Sequence, residues 1–112
     1  MWEEELRALI AALRDSEEYQ AYREAQAAVE ENPSTVALLR EYHKAQMRVQ
    51  TLVLQDLTEG PDFDRFRSLS DALQTDPEAT GFLLAEYRLK KGMGDIFKAL
   101  THAVELDLGF LE

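Results

Sequence analysis

Asn32-Pro33-Ser34-Thr35-Val36-Ala37-Leu38-Leu39-Arg40-Glu41-Tyr42 is answered 44 residues later by Asp76-Pro77-Glu78-Ala79-Thr80-Gly81-Phe82-Leu83-Leu84-Ala85-Glu86-Tyr87. The second passage carries one extra residue, assigned to Gly81. Upstream, Tyr22-Arg23 precede Pro33 by eleven and ten residues, and Phe66-Arg67 precede Pro77 by the same distances. Proline suits the first position of a helix, where no N–H partner is needed, and it pushes the residue before it out of the α region. Each Asn/Asp-Pro pair therefore closes one helix and opens the next. Two copies of one helical hairpin account for the repetition, which marks a scaffold.

The helices on either side follow from spacing. Trp2, Leu6, Leu9, Ile10 and Leu13 fall on one stripe of a 3.6-residue helix. Ser16 is placed to cap a second helix, from Glu17 to about Glu31, with Glu17 and Glu18 at its positive end. That helix buries Tyr19, Tyr22, Ala25, Gln26 and Val29. A third is expected from Ser34 to Leu57, with Val36, Leu39, Ala45, Val49, Leu52 and Val53 inward. After the turn Thr58-Glu59-Gly60-Pro61, Asp62 is the expected cap of a fourth helix carrying Phe63, Phe66, Leu69 and Leu73. A fifth starts at Pro77 and runs past Leu100. Gly109-Phe110-Leu111-Glu112 reads as a helix stop with a short apolar tail. The expected fold is all-α: about five antiparallel helices in one domain over residues 1–112, an elongated bundle built on a duplicated hairpin.

The fifth helix is too apolar for a single inward face. Leu89, Met93, Ile96, Phe97, Leu100 and Val104 add to Phe82, Leu83, Leu84 and Tyr87, so a neighbouring copy is expected to cover the surplus. The expected interface is this helix and the ends of the third. Gly92 and Gly94 inside it mark either a kink or a close backbone crossing.

The net charge of −10 argues against nucleic acid or an anionic membrane as the main partner. Residues 1–33 carry nine acids and three bases, residues 34–57 two acids and three bases, and residues 58–112 eleven acids and six bases. The middle stretch alone has no acidic excess. There are no cysteines, which excludes disulfides, thiolate nucleophiles and cysteine-held zinc or iron–sulfur clusters. An acidic start, Glu3-Glu4-Glu5, and the lack of any apolar run near the roughly 18–20 residues of a span give a soluble, cytoplasmic protein without membrane insertion.

No residue pattern supports catalysis or a cofactor. The positions three before His43 and His102 are Arg40 and Ala99, where di-iron bundles place Glu, and His-Glu-x-x-His is missing. Ser16, Ser34, Ser68 and Ser70 lie at caps or on helices, with no nucleophile elbow. A metal-dependent enzyme using either histidine is the least supported alternative. Arg40, Lys44 and Arg48 form a basic stripe at i, i+4 and i+8. It is a candidate partner surface, for an acidic protein or for RNA, unless acids of the second and fourth helices neutralise it. Arg88, Lys90, Lys91 and Lys98 form a looser patch, broken by Asp95. Tyr19, Tyr22, Tyr42 and Tyr87 read as core residues.

Taken in order, a short first helix, Ser16-Glu17-Glu18-Tyr19 with Tyr22 and Ala25, Glu31-Asn32-Pro33 leading to Leu38-Leu39 and Tyr42 with Gln46, then Asp76-Pro77 and a long last helix, the chain resembles the bacterial YlbF/YmcA family, which includes YheA-like proteins. The resemblance implies an all-helical homodimer or higher oligomer without known catalytic activity. It further implies a regulatory adaptor that joins other regulatory proteins, modulates the endoribonuclease RNase Y and so influences mRNA processing, competence, sporulation and biofilm formation. Some relatives hold an iron–sulfur cluster through cysteines, a property this cysteine-free chain does not share. The alternatives are direct RNA binding through Arg40, Lys44 and Arg48, and a structural oligomer of the YheA-like type.

Overall fold

Pro33 and Pro77 both start helices, and so does Pro61. In the computed structural model, which describes residues 1–104, five α-helices follow one another: α1 (Glu3–Arg14), α2 (Glu17–Glu30), α3 (Pro33–Leu54), α4 (Pro61–Gln74) and α5 (Pro77–Ala103). No strand occurs among the described residues. The fold is all-α, and the apolar tail foreseen at Gly109–Glu112 lies outside the described residues. Internal contacts group the chain into two units, Arg23–Leu83 and Met1–Tyr22 with Leu84–Glu112.

The Arg23–Leu83 unit contains the core. Val29 of α2, Leu39 of α3, Leu73 of α4 and Ala79 of α5 form its buried cluster, with Val36, Leu38, Tyr42, Phe82 and Leu83 packed against it. α3 and α4 lie side by side. They run antiparallel, because the earlier α3 residues Glu41 and Tyr42 meet the later α4 residues Arg65 and Phe66, while the later Arg48 meets the earlier Asp62. Tyr42 and Phe66 stack with ring centroids 5.3 Å apart, a favoured aromatic spacing.

Thr35 and Ala79 are the most deeply buried of the described residues, at 1% and 0% exposed. They occupy equivalent places, two residues after Pro33 and Pro77. The Thr35 hydroxyl donates to Asp76 Oδ2 at 2.7 Å, while Asp76 Oδ1 accepts the N–H groups of Glu78 and Ala79 at 3.1 and 3.2 Å. Asp76 thus caps α5 and ties it to the start of α3. Asn32, its counterpart, makes no such cap; its Oδ1 accepts from Ser34 Oγ instead. The Thr35 hydrogen bond first, then the Ala79 and Glu78 N–H groups, hold the Asp76 carboxyl below its ordinary value of 3.8. A folded-state value below the unfolded one gives stability that is complete above the unfolded value and is lost as pH falls through the folded one. Thr35→Val, which takes this donor away from Asp76, should lower the urea midpoint at pH 7. Urea midpoints measured for both proteins should converge as the pH drops below about 4; a constant gap would show that the hydroxyl acts by packing alone.

Local chemistry moves some expected boundaries. α3 ends at Leu54, not Leu57, because Asp56 adopts φ 62° and the chain closes a Schellman motif: Leu57 N–H donates to Leu52 O and Asp56 N–H to Val53 O, both at 3.0 Å. Val53, expected inside, is exposed. α4 is preceded by Gly60 at φ 132°, a conformation suited to glycine, and Asp62 makes no cap; it reaches Arg48 instead. Ser16 does cap α2, accepting the Tyr19 N–H at 3.1 Å while donating to Leu13 O at 2.6 Å.

The repeat itself runs in a different register from its letters. Burial follows a spacing of 44: Thr35 matches Ala79, Leu38 matches Phe82 and Leu39 matches half-buried Leu83. The Leu-Leu-x-Glu-Tyr motif follows a spacing of 45. α5 is continuous through Gly81, so the added residue turns the motif by about 100°. Leu84 and Tyr87 consequently stand out at 49% and 62% exposure, where Leu39 is buried and Tyr42 half-buried. Tyr87 is not the core residue the sequence suggests.

In the other unit, Ala85 is the buried apolar residue among those described, and α1 buries none. Leu9, Leu13, Leu89 and Ile96 are half-buried. Gly92 and Gly94 lie within α5, and a Cβ at either would meet nothing within 4 Å, so no close crossing among the described residues explains them.

Candidate interaction surfaces

α1 and α5 together carry an apolar face in the Met1–Tyr22 and Leu84–Glu112 unit. Met93, Phe97, Leu100 and Val104 recur at spacings of four, three and four, the interval of a helix-pairing seam. All four are more than half exposed. Leu89 and Ile96, expected with them, are half-buried at the edge of the stripe. Leu9 and Leu13 join Met93, Ile96, Phe97 and Leu100 around an open apolar cleft of about 180 Å³. Trp2, Leu6 and Ile10, which share the α1 stripe with Leu9 and Leu13, are exposed. Isolated exposed leucines are ordinary; a set of this size on adjoining helices is a candidate interaction surface.

A second surface lies within the Arg23–Leu83 unit. Val29, Val36, Leu39, Met47 and Phe82 line an open groove of about 410 Å³, with Gln26 and Glu30 on the α2 side and Arg40, His43 and Lys44 on the α3 side. The helical periodicity of α3 brings two of the three stripe cations to this rim. Lys44 Nζ stands 3.6 Å from Glu41 Oε1 on its own helix, and Arg48 Nε is 3.4 Å from Asp62 Oδ2 on α4. The hydrogen bond from Arg65, followed by the charge of Lys44, holds the Glu41 carboxyl below its ordinary value. Arg40 has no ion-pair partner among the described residues. Sequence reasoning found the stripe but missed the groove, since its walls come from three helices and Met47, 68% exposed, belongs to no inward pattern.

His43 sits half-buried on this rim with its ring edge-on to Tyr42, centroids 6.0 Å apart. His102 is exposed in the last turn of α5. Among the described residues, no three His, Cys, Asp or Glu side chains are grouped to hold a metal ion, and no helix is long and apolar enough to cross a membrane. In the looser patch, Lys90 approaches Glu86 at 3.6 Å and Lys91 approaches Asp95 at 3.2 Å.

Two kinds of comparison place the chain. A UPF0342 protein of Symbiobacterium thermophilum is 32% identical over 104 residues, covering 91% of this chain and 92% of that protein. A UPF0342 protein of Halothermothrix orenii is 24% identical over 102 residues, covering 89% and 86%. No solved structure matches. The family described as control of competence regulator ComK, YlbF/YmcA, matches residues 3–105, which takes in all five helices and both surfaces. The protein belongs to this Com_YlbF family.

Proposed function

We propose that this protein is a non-enzymatic regulatory adaptor that self-associates through the α1/α5 face and joins other regulatory proteins to control RNase Y-linked mRNA processing. The observation that carries the reading is the exposed seam of Met93, Phe97, Leu100 and Val104. Apolar side chains left in water on one face gain about 25 cal/mol for each Å² a partner covers, so association is the work this surface favours. Leu89 and Ile96 complete the interface. A family whose description is regulatory agrees with an adaptor acting through contacts.

Direct RNA binding through Arg40, Lys44 and Arg48 is the weaker reading, because Glu41 and Asp62 already offset two of the three cations and the chain carries a net charge of −10.

Deletion of the gene in the native cell, followed by mapping of transcript 5′ ends, tests the adaptor role. Transcripts cleaved by RNase Y should accumulate uncut and return to normal with the wild-type gene. Unchanged 5′ ends would remove the RNA-processing link.

A further inference from the structure

We propose that the groove between α2 and α3 receives an amphipathic helix with an acidic edge, supplied by another protein. Val36, Leu39 and Phe82 give the groove an apolar floor, and Met47 extends it along α3. Val36 and Met47 are eleven positions apart on one helix, about 16 Å or about three turns. An open trough of that length, walled by helices, suits a helix that seats apolar side chains at i, i+3 or i+4, and i+7. Met47 is 68% exposed, and a flexible thioether at the end of a groove adapts to side chains of different shape.

The walls set the charge of the partner. Arg40 and Lys44 stand one turn apart on the α3 side, and Arg40 has no ion-pair partner among the described residues. Lys44 shares its carboxylate: Glu41 lies 3.6 Å from Lys44 Nζ and 2.9 Å from Arg65 Nη2, so one acid serves two cations. The wall therefore keeps a positive surplus, within the one stretch of the chain, residues 34–57, that has no acidic excess. Glu30 on the α2 side directs the partner's acids toward α3. Nucleic acid fits less well. Its phosphates gain nothing from a floor of valine, leucine, methionine and phenylalanine, and a polyanion meets the net charge of −10.

This inference rests on the adaptor reading above, and its test separates the two. Three fluorescein-labelled helical peptides of about four turns share one leucine face and differ along one edge, which carries glutamate, glutamine or lysine. In anisotropy titrations with the full-length protein, the glutamate peptide should bind about ten-fold more tightly than the lysine peptide, with the glutamine peptide between them. Arg40→Glu combined with Lys44→Glu, both at exposed positions, should reverse that order with circular dichroism unchanged. Met47→Ser should weaken the glutamate peptide about three-fold and keep the order. No binding, equal affinities, an order that survives the charge reversal, or no loss at Met47 overturns the inference. So does displacement of the glutamate peptide by a short single-stranded RNA, or binding that appears only in the Phe97→Glu, Leu100→Glu protein, which would give the groove to a second copy. In the native cell, the charge reversal should alter transcript 5′ ends as the gene deletion does. A deletion that alters the ends while the charge reversal leaves them normal overturns the groove alone; a deletion without effect, beside ordered peptide binding, removes the RNA-processing link and upholds the groove.

Discussion

Leu73→Ala is expected to destabilise the protein by about 2–5 kcal/mol, the range for deleting a leucine side chain from a packed core. Leu73 is 3% exposed and is one of four buried apolar residues, contributed by four different helices, that make up the central cluster. Truncating it removes transfer energy and leaves a void that α2, α3 and α5 fill only by moving. Small domains are stable by about 5–15 kcal/mol in all, so the variant should lose a large share of its cooperativity in urea, followed by far-ultraviolet circular dichroism. Protein concentration must be held fixed, because association adds to apparent stability. Leu57→Ala, at a site nearly half exposed, is the matched control and should stay within about 0.5 kcal/mol of wild type. Equal losses at the two sites would show that the cluster is not the core.

The second large effect concerns assembly. Phe97→Glu combined with Leu100→Glu should weaken self-association at least about 100-fold and give a monomer mass by light scattering at micromolar concentration. Burying a large apolar side chain contributes about 1.5–3 kcal/mol, and in a two-fold symmetric interface each substitution acts twice. Both residues are more than half exposed, at 57% and 56%, so the monomer's own packing should survive and its helicity should match wild type. A wild-type protein that is already monomeric, or a double variant that still associates, would rule out the seam as the interface.

Much of the secondary structure was legible in the letters because its determinants are local. Pro33 and Pro77 open helices by the geometry of their own rings, and Ser16 caps α2 with its own hydroxyl. What escaped was phase. Matching Leu38-Leu39 to Leu83-Leu84 treats the added residue as a gap, and a gap carries no angle. A helix that absorbs one residue without a bulge keeps every later letter and changes the side on which it stands. Tyr87, read as a core residue alongside Tyr42, accordingly stands outside at 62% exposure. The early end of α3 escaped for a related reason: Asp56 takes a left-handed conformation more usual for glycine. The basic stripe was legible as i, i+4 and i+8. Its neutralising contacts and the groove were not, since Asp62, Val29 and Phe82 come from other helices and meet α3 only in the folded unit. On α1, periodicity identified an apolar side without saying whether anything covers it, and Trp2, Leu6 and Ile10 stand exposed on it.

The slip at Gly81 has a wider consequence. A single insertion within a rigid rod reassigns the address of a whole inherited motif, so residues that line the interior in one half become available to the outside in the other, with no change in their identity. Duplicated sequences can in this way acquire a new contact surface in one step, and neither copy needs to invent a side chain.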